Sequence, residues 1–190
     1  RDKYYLIRMN DFFSKTDLSR KDAEAVISET LNKCDDGELY LENSKSESIV
    51  LDDNKIKSSS YSSDLGYGLR AVTGEVVAYS HSNEISKNSL KQSADNLSST
   101  LKSKKGVYNN EIPKTNKKFY KDINPIEEKS LNSKLELLKE INNYTRAKGA
   151  IVHQVTASFS GEHKSIEIIR SGGEVLTDVR PLIRFNVSVM

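Results

Sequence analysis

The groups able to hold a metal or move a proton are few in this chain: three histidines and one cysteine in 190 residues. His81 ends a hairpin arm, His153 precedes Val155 and Ala157 in an alternating strand pattern, and His163 follows Gly161. None has a second His or Cys at helical or C-x-x-C spacing, whereas zinc needs three or four converging ligands. They read as surface or strand-face imidazoles, with His163 placed to face Glu162 or Glu167 as a base. Cys34 continues the apolar stripe Ala23, Val26, Ile27, Thr30, Leu31 and reads as a buried structural thiol. A nucleophilic cysteine would want a neighbouring base and access to solvent.

Other catalytic patterns are missing from the sequence. There is no G-x-S-x-G elbow and no phosphate-binding G-x-x-x-x-G-K-[ST], and Gly66-Tyr67-Gly68 falls in a hairpin rather than between a strand and a helix. Lysines 102, 104, 105, 114, 117, 118 and 121 crowd one segment beside Tyr108, Phe119 and Tyr120, a pattern that can stack on nucleic acid. The whole chain carries a net charge of only +2, so the segment reads instead as a solvated connector and no nucleic-acid partner is expected. Asp178-Val179-Arg180-Pro181 is more pointed. Its plain reading is a local ion pair setting strand register; its functional reading is a rim on which Arg180 holds a substrate backbone or carboxylate.

The elements that would position these groups follow from periodicity. The stripe ending at Cys34 marks a helix over 21–34, capped by Ser19 with Asp22 and stopped near Gly37. A weaker helical pattern covers 4–13. From Glu38 the period becomes two: a hairpin over 47–62 turns at Asp53-Asn54, and a second joins Leu65–Val72 to Glu75–Ser80 at Thr73-Gly74. Gly66 and Gly68 share one face of that arm, which calls for a backbone or a bulky ring packed closely there. Helices are expected over 86–102 and 127–148, then strands at 151–159, 163–170, 174–178 and 182–190 with turns at Gly161 and Gly172-Gly173. Consecutive hairpins separated by helices predict an α+β fold: an antiparallel sheet with helices packed on it as a two-layer sandwich.

Composition bounds the rest. Hydrophobic residues make up 36% and charged residues 29%, enough apolar residues in periodic runs to build a core. Apolar stretches are only a few residues long, far short of the twenty or so that span a membrane, and no secretory leader pattern is present. A lone cysteine fits a reducing compartment. The chain starts at Arg1 and ends inside an alternating pattern, which predicts a piece of a longer protein.

On its residues alone the chain is an α+β module with no complete catalytic site. The ordered set of motifs adds a family. Asp36-Gly37-Glu38-Leu39-Tyr40, Glu47 to Asp53, Gly66-Tyr67-Gly68-Leu69-Arg70-Ala71-Val72-Thr73-Gly74-Glu75, Ile85-Ser86 with Leu90 and Ala94, Asp122 to Ile126, Val155 to Gly161 and Asp178 to Val189 come in the right order over 36–190. The set resembles the N-terminal domain of the TldD/PmbA metallopeptidase family, TldD more than its paralogue. The third piece matches the family's G-x-G-x-R-A…G-E hairpin.

The resemblance implies a cytoplasmic, zinc-dependent peptidase that works with a TldE/PmbA-type paralogue as a heterodimer and cleaves unfolded peptides. It implies that residues 1–190 form the N-terminal domain, with a helical segment over 1–35, the lysine-rich connector over 103–125, and the catalytic C-terminal domain outside the chain. The family's H-E-x-x-x-H zinc motif does not occur here, and Cys34 lies in the wrong half of the protein to be its additional ligand. No catalytic residue and no metal ligand can therefore be carried over, and the fragment is expected to hold no zinc and cleave nothing by itself. Arg70, Asp178 and Arg180 remain the expected substrate-binding residues. The alternative is a stand-alone peptide- or protein-binding module without peptidase activity.

Overall fold

The computed structural model describes residues 12–101, 106–107, 119–171 and 173–190. Its elements are α1 (Arg20–Leu31), β1 (Asp36–Asp52), β2 (Lys55–Thr73), β3 (Val76–Ser82), α2 (Lys87–Leu101), α3 (Leu131–Arg146), β4 (Val155–Arg170) and β5 (Val175–Val189). The strands make one five-stranded antiparallel sheet in the order β3-β2-β1-β4-β5, with the three helices packed on it, as the α+β expectation requires. Strands β3 and β5 are its edges. The described residues fall into two compact units. The first takes those within 1–43, 64–117 and 165–178, the second those within 44–63, 118–164 and 179–190, so four of the strands contribute to both.

The core of the first unit is built from one stripe per helix. Ala23, Ile27 and Leu31 of α1 and Leu90, Ala94, Leu97 and Leu101 of α2 meet Leu39 and Leu41 of β1, Leu69 and Ala71 of β2, Ala78 of β3 and Ile169 of β4. Burying each Leu or Ile contributes roughly 1.5–3 kcal/mol. Ser19 caps α1, its hydroxyl accepting from Asp22 N at 3.1 Å. Strands β2 and β3 pair from Tyr67↔Ser82 to Thr73↔Val76. The turn is therefore Gly74-Glu75, one residue later than expected, and Gly74 takes the left-handed φ of 59°.

The core of the second unit is smaller. Leu138 of α3, flanked by Leu135 and Ile141, packs against Ile49 and Leu51 of β1 and Ala157 and Phe159 of β4. The β1–β2 hairpin turns at Asp53-Asn54 as expected, with left-handed φ values of 47° and 62° at the two positions. Helix α3 begins at Leu131 rather than 127, because Asn124 and Pro125 open a turn in which Asn124 Oδ1 accepts from Ile126 N. Ser130 then supplies the cap.

Three expected breaks are absent from the strands. Strand β2 runs unbroken through Asp64 and Leu65, β4 runs through Gly161, and β5 runs through Pro181. Gly161 is small for packing rather than for turning: a Cβ there would lie 3.2 Å from Ile126 Cγ1 and from Phe159 Cζ. A proline is tolerated in β5 because an edge strand has one row of amides with no ladder to complete. Strand β4 starts only at Val155, leaving His153 ahead of it. The helix expected over 4–13 lies outside the described residues except for Phe12 and Phe13, which sit in a turn and join the first core. Of the 103–125 connector only 106–107 and 119–125 are described.

Candidate functional site

Arg70 stands on β2 within a row of alternating charges. Its Nε donates to Glu38 Oε1 at 2.7 Å, and its Nη2 donates to Glu38 Oε2 at 2.9 Å and to Asp36 Oδ2 at 2.5 Å. The other oxygen of Asp36 accepts from Arg170 on β4. The row thus crosses three neighbouring strands, β2, β1 and β4, in the order Glu38–Arg70–Asp36–Arg170. Hydrogen bonding to Glu38, and then to Asp36, pushes the Arg70 pKa further above its ordinary value despite partial desolvation. The side chain is a fixed, bridged cation, and sequence inspection gave no sign of Arg170 as its counterpart across Asp36.

Beside Arg70 on β2, Gly68 and Gly66 floor a groove of about 420 Å³ lined by Tyr40 and Glu42 of β1 and Tyr79 and His81 of β3. Tyr79 and His81 stack at 5.8 Å between ring centroids. The close packing expected over the glycines is present: a Cβ on Gly68 would lie 2.6 Å from Tyr79 Oη, and one on Gly66 would lie 2.7 Å from the Ser82 carbonyl oxygen. Tyr67 faces the other way, its hydroxyl within 2.9 Å of those of Ser89 and Ser93 on α2.

Asp178 and Arg180 are two residues apart on β5 and so project to the same side of that strand. Asp178 is half-buried in the first unit, and Arg180 is exposed in the second. Beyond them Ile183, Phe185, Val187 and Val189 alternate along the edge strand and are each about half exposed. Phe185 tilts against Phe159 at 5.2 Å.

Cys34 is buried as expected, its thiol 3.7 Å from the Thr30 carbonyl oxygen, and burial pushes its pKa up. His81 and His153 are exposed, while His163 is buried on a face of β4, the strand-face rather than the surface alternative. Among the described residues no group of three His, Cys, Asp or Glu side chains could hold a metal ion, so the donor set for zinc does not fit here. No described helix is long and apolar enough to cross a membrane.

Comparison with known proteins fits this arrangement. The domain described as PmbA/TldA metallopeptidase domain 1 matches residues 37–101, and the PmbA/TldA metallopeptidase central domain matches 124–190. The chain belongs to the TldD/PmbA family. It is 34% identical over 157 residues to a metalloprotease TldD homologue of Buchnera aphidicola, covering 82% of this chain and 32% of that protein. The chain spans about a third of the length of the curated relatives it matches. In fold it is similar to a candidate modulator of DNA gyrase from Bacteroides thetaiotaomicron, with a TM-score of 0.65 and 14% identity over 90% of this chain and 41% of the other. It is also similar to TldE from Thermococcus kodakarensis, with a TM-score of 0.54 and 14% identity over 87% of this chain and 42% of that one.

Proposed function

We propose that this chain is the non-catalytic N-terminal part of a zinc-dependent, TldD-like peptidase that degrades unfolded peptides in the cytoplasm with a TldE/PmbA-type paralogue. The observation that carries the reading is β5, an edge strand bearing Asp178, Arg180 and an exposed apolar row. The metalloprotease naming of the relatives supports a peptidase parent, and the likeness to a TldE fold is consistent with a paralogous partner. The zinc and its ligands belong to the rest of the parent on this reading, and the present chain alone cleaves nothing.

An extended peptide added to the outer edge of β5 is held through its backbone N–H and C=O groups, which suits substrates of varied sequence. Arg180 then holds a peptide carboxylate or carbonyl. Arg70, already bridged to Glu38 and Asp36, offers the substrate a rigid mixed-charge surface rather than a bare cation.

The test uses the full-length protein. Proline placed singly along 182–189 should weaken peptide binding where it removes an outward N–H, and Arg180→Ala should weaken it for peptides with a free C-terminus. Unchanged affinity across the whole set sinks the strand-addition reading. Hydrogen exchange separates the competing assignment of β5 to subunit assembly: protection by the paralogue but not by peptide would give the strand to the interface.

A further inference from the structure

Among the described residues of the second unit, Lys134 and His163 are buried titratable groups, and peptide binding uses neither. His163 is 6% exposed, and its Nε2 finds no hydrogen-bond partner among the described residues. The carboxylate nearest to it is Asp122, whose Oδ1 lies 3.7 Å away, too far for a hydrogen bond but within ion-pair range. Asp122 belongs to the segment that enters α3. Half of that segment is anchored: Asn124, Pro125 and Ile126 are buried, Ile126 sits over Gly161, and Lys134 of α3 donates to the Ile126 carbonyl at 2.6 Å. The preceding residues, 119–123, are exposed.

Carboxylates face His163 from the segment that enters α3. Asp122 and Glu127 come from the entering segment, and Glu127 interacts with the imidazole directly enough for His163 to lower the Glu127 pKa, although the hydrogen bond from Lys45 is the larger cause. Lys45 of β1 opposes, but its charge is matched by Glu127 at 2.5 Å. Glu162 and Lys164 alternate to the other side of β4 and pair with each other at 3.1 Å.

We propose that His163 and Asp122 form a proton-operated latch for residues 119–123. With the imidazole neutral and its one hydrogen on Nδ1, Nε2 has nothing to donate to Asp122, and the segment hangs from its Asn124-Pro125-Ile126 anchor. A proton taken from solvent gives Nε2 a hydrogen to donate, Asp122 closes on it, and the exposed half is drawn onto β4. This inference stands independently of the peptidase reading.

Hydrogen exchange of the full-length protein at pH 5.5 and 8.0, expressed as protection relative to intrinsic rates, tests it. Amides of 119–123 should be several-fold more protected at pH 5.5, and His163→Gln and Asp122→Asn should each abolish that difference. Equal protection at the two pH values, or a difference that survives Asp122→Asn, overturns the proposal. Asp122 is half-exposed, so its substitution carries the test even where His163→Gln fails to fold.

Discussion

Tyr79 lies across Gly68 so closely that any side chain there would meet its ring, while Gly66, two residues earlier, is covered by the backbone carbonyl of Ser82. The two glycines therefore differ in what must yield. Tyr79 is 64% exposed and can swing outward, whereas the Ser82 carbonyl is held where β3 ends. Gly68→Ala is expected to cost less than about 1 kcal/mol, and Gly66→Ala about 1–3 kcal/mol. Urea denaturation of both variants checks the order, and an equal or reversed cost would show that β3 ends flexibly.

Lys134 carries a larger expectation. Its ammonium is nearly enclosed, paired with Glu47, hydrogen-bonded to the Ile126 carbonyl and 5.4 Å from the centre of the Phe159 ring. Lys134→Met keeps the volume but leaves Glu47 charged and mostly buried, which should cost about 3 kcal/mol or more. Adding Glu47→Leu should recover much of that loss. A double mutant no more stable than Lys134→Met would mean that the Ile126 contact, not the ion pair, holds α3.

These two sites also mark what the sequence could and could not disclose. The helix stripes, the Asp53-Asn54 turn and the need for close packing over Gly66 and Gly68 were legible because each rests on local periodicity or on a residue type with one special freedom. Gly161 and Pro181 were misread as breaks because the same residues serve as packing gaps and edge-strand residues, and only strand order distinguishes the cases. The charged row through Arg70 joins residues over 100 positions apart in Asp36 and Arg170, so no local pattern encodes it. Burial of His163 likewise depends on a segment forty residues upstream.

Cys34 should be inert in the folded protein. Burial raises its thiol pKa, so little thiolate exists at neutral pH and little of it is reachable. Alkylation by iodoacetamide should track global unfolding across a denaturant series. Rapid labelling without denaturant would mean that the cavity lined by Val26 and Thr30 of α1, Ala94 and Ser98 of α2 and Cys34 itself opens to reagent.

Asp53 sets the last expectation, on acid stability. At the tip of the β1–β2 hairpin its carboxylate accepts from Val155 N at 3.0 Å and pairs with Arg146 of α3. The Val155 hydrogen bond is the main cause that lowers its pKa below the ordinary 3.8, with Arg146 adding to it. A carboxyl group whose pKa is lower folded than unfolded stabilises the fold above the unfolded value, and that contribution fades as pH falls through the folded one. Asp53→Asn keeps the side-chain shape and suits the left-handed φ of 47°, but removes the titration. The variant should be less stable than the parent at pH 7, and the gap should narrow as pH falls below the ordinary carboxylate value. Thermal melts across that range measure it. A gap that stays constant with pH would mean that the hairpin tip is held by shape and not by charge.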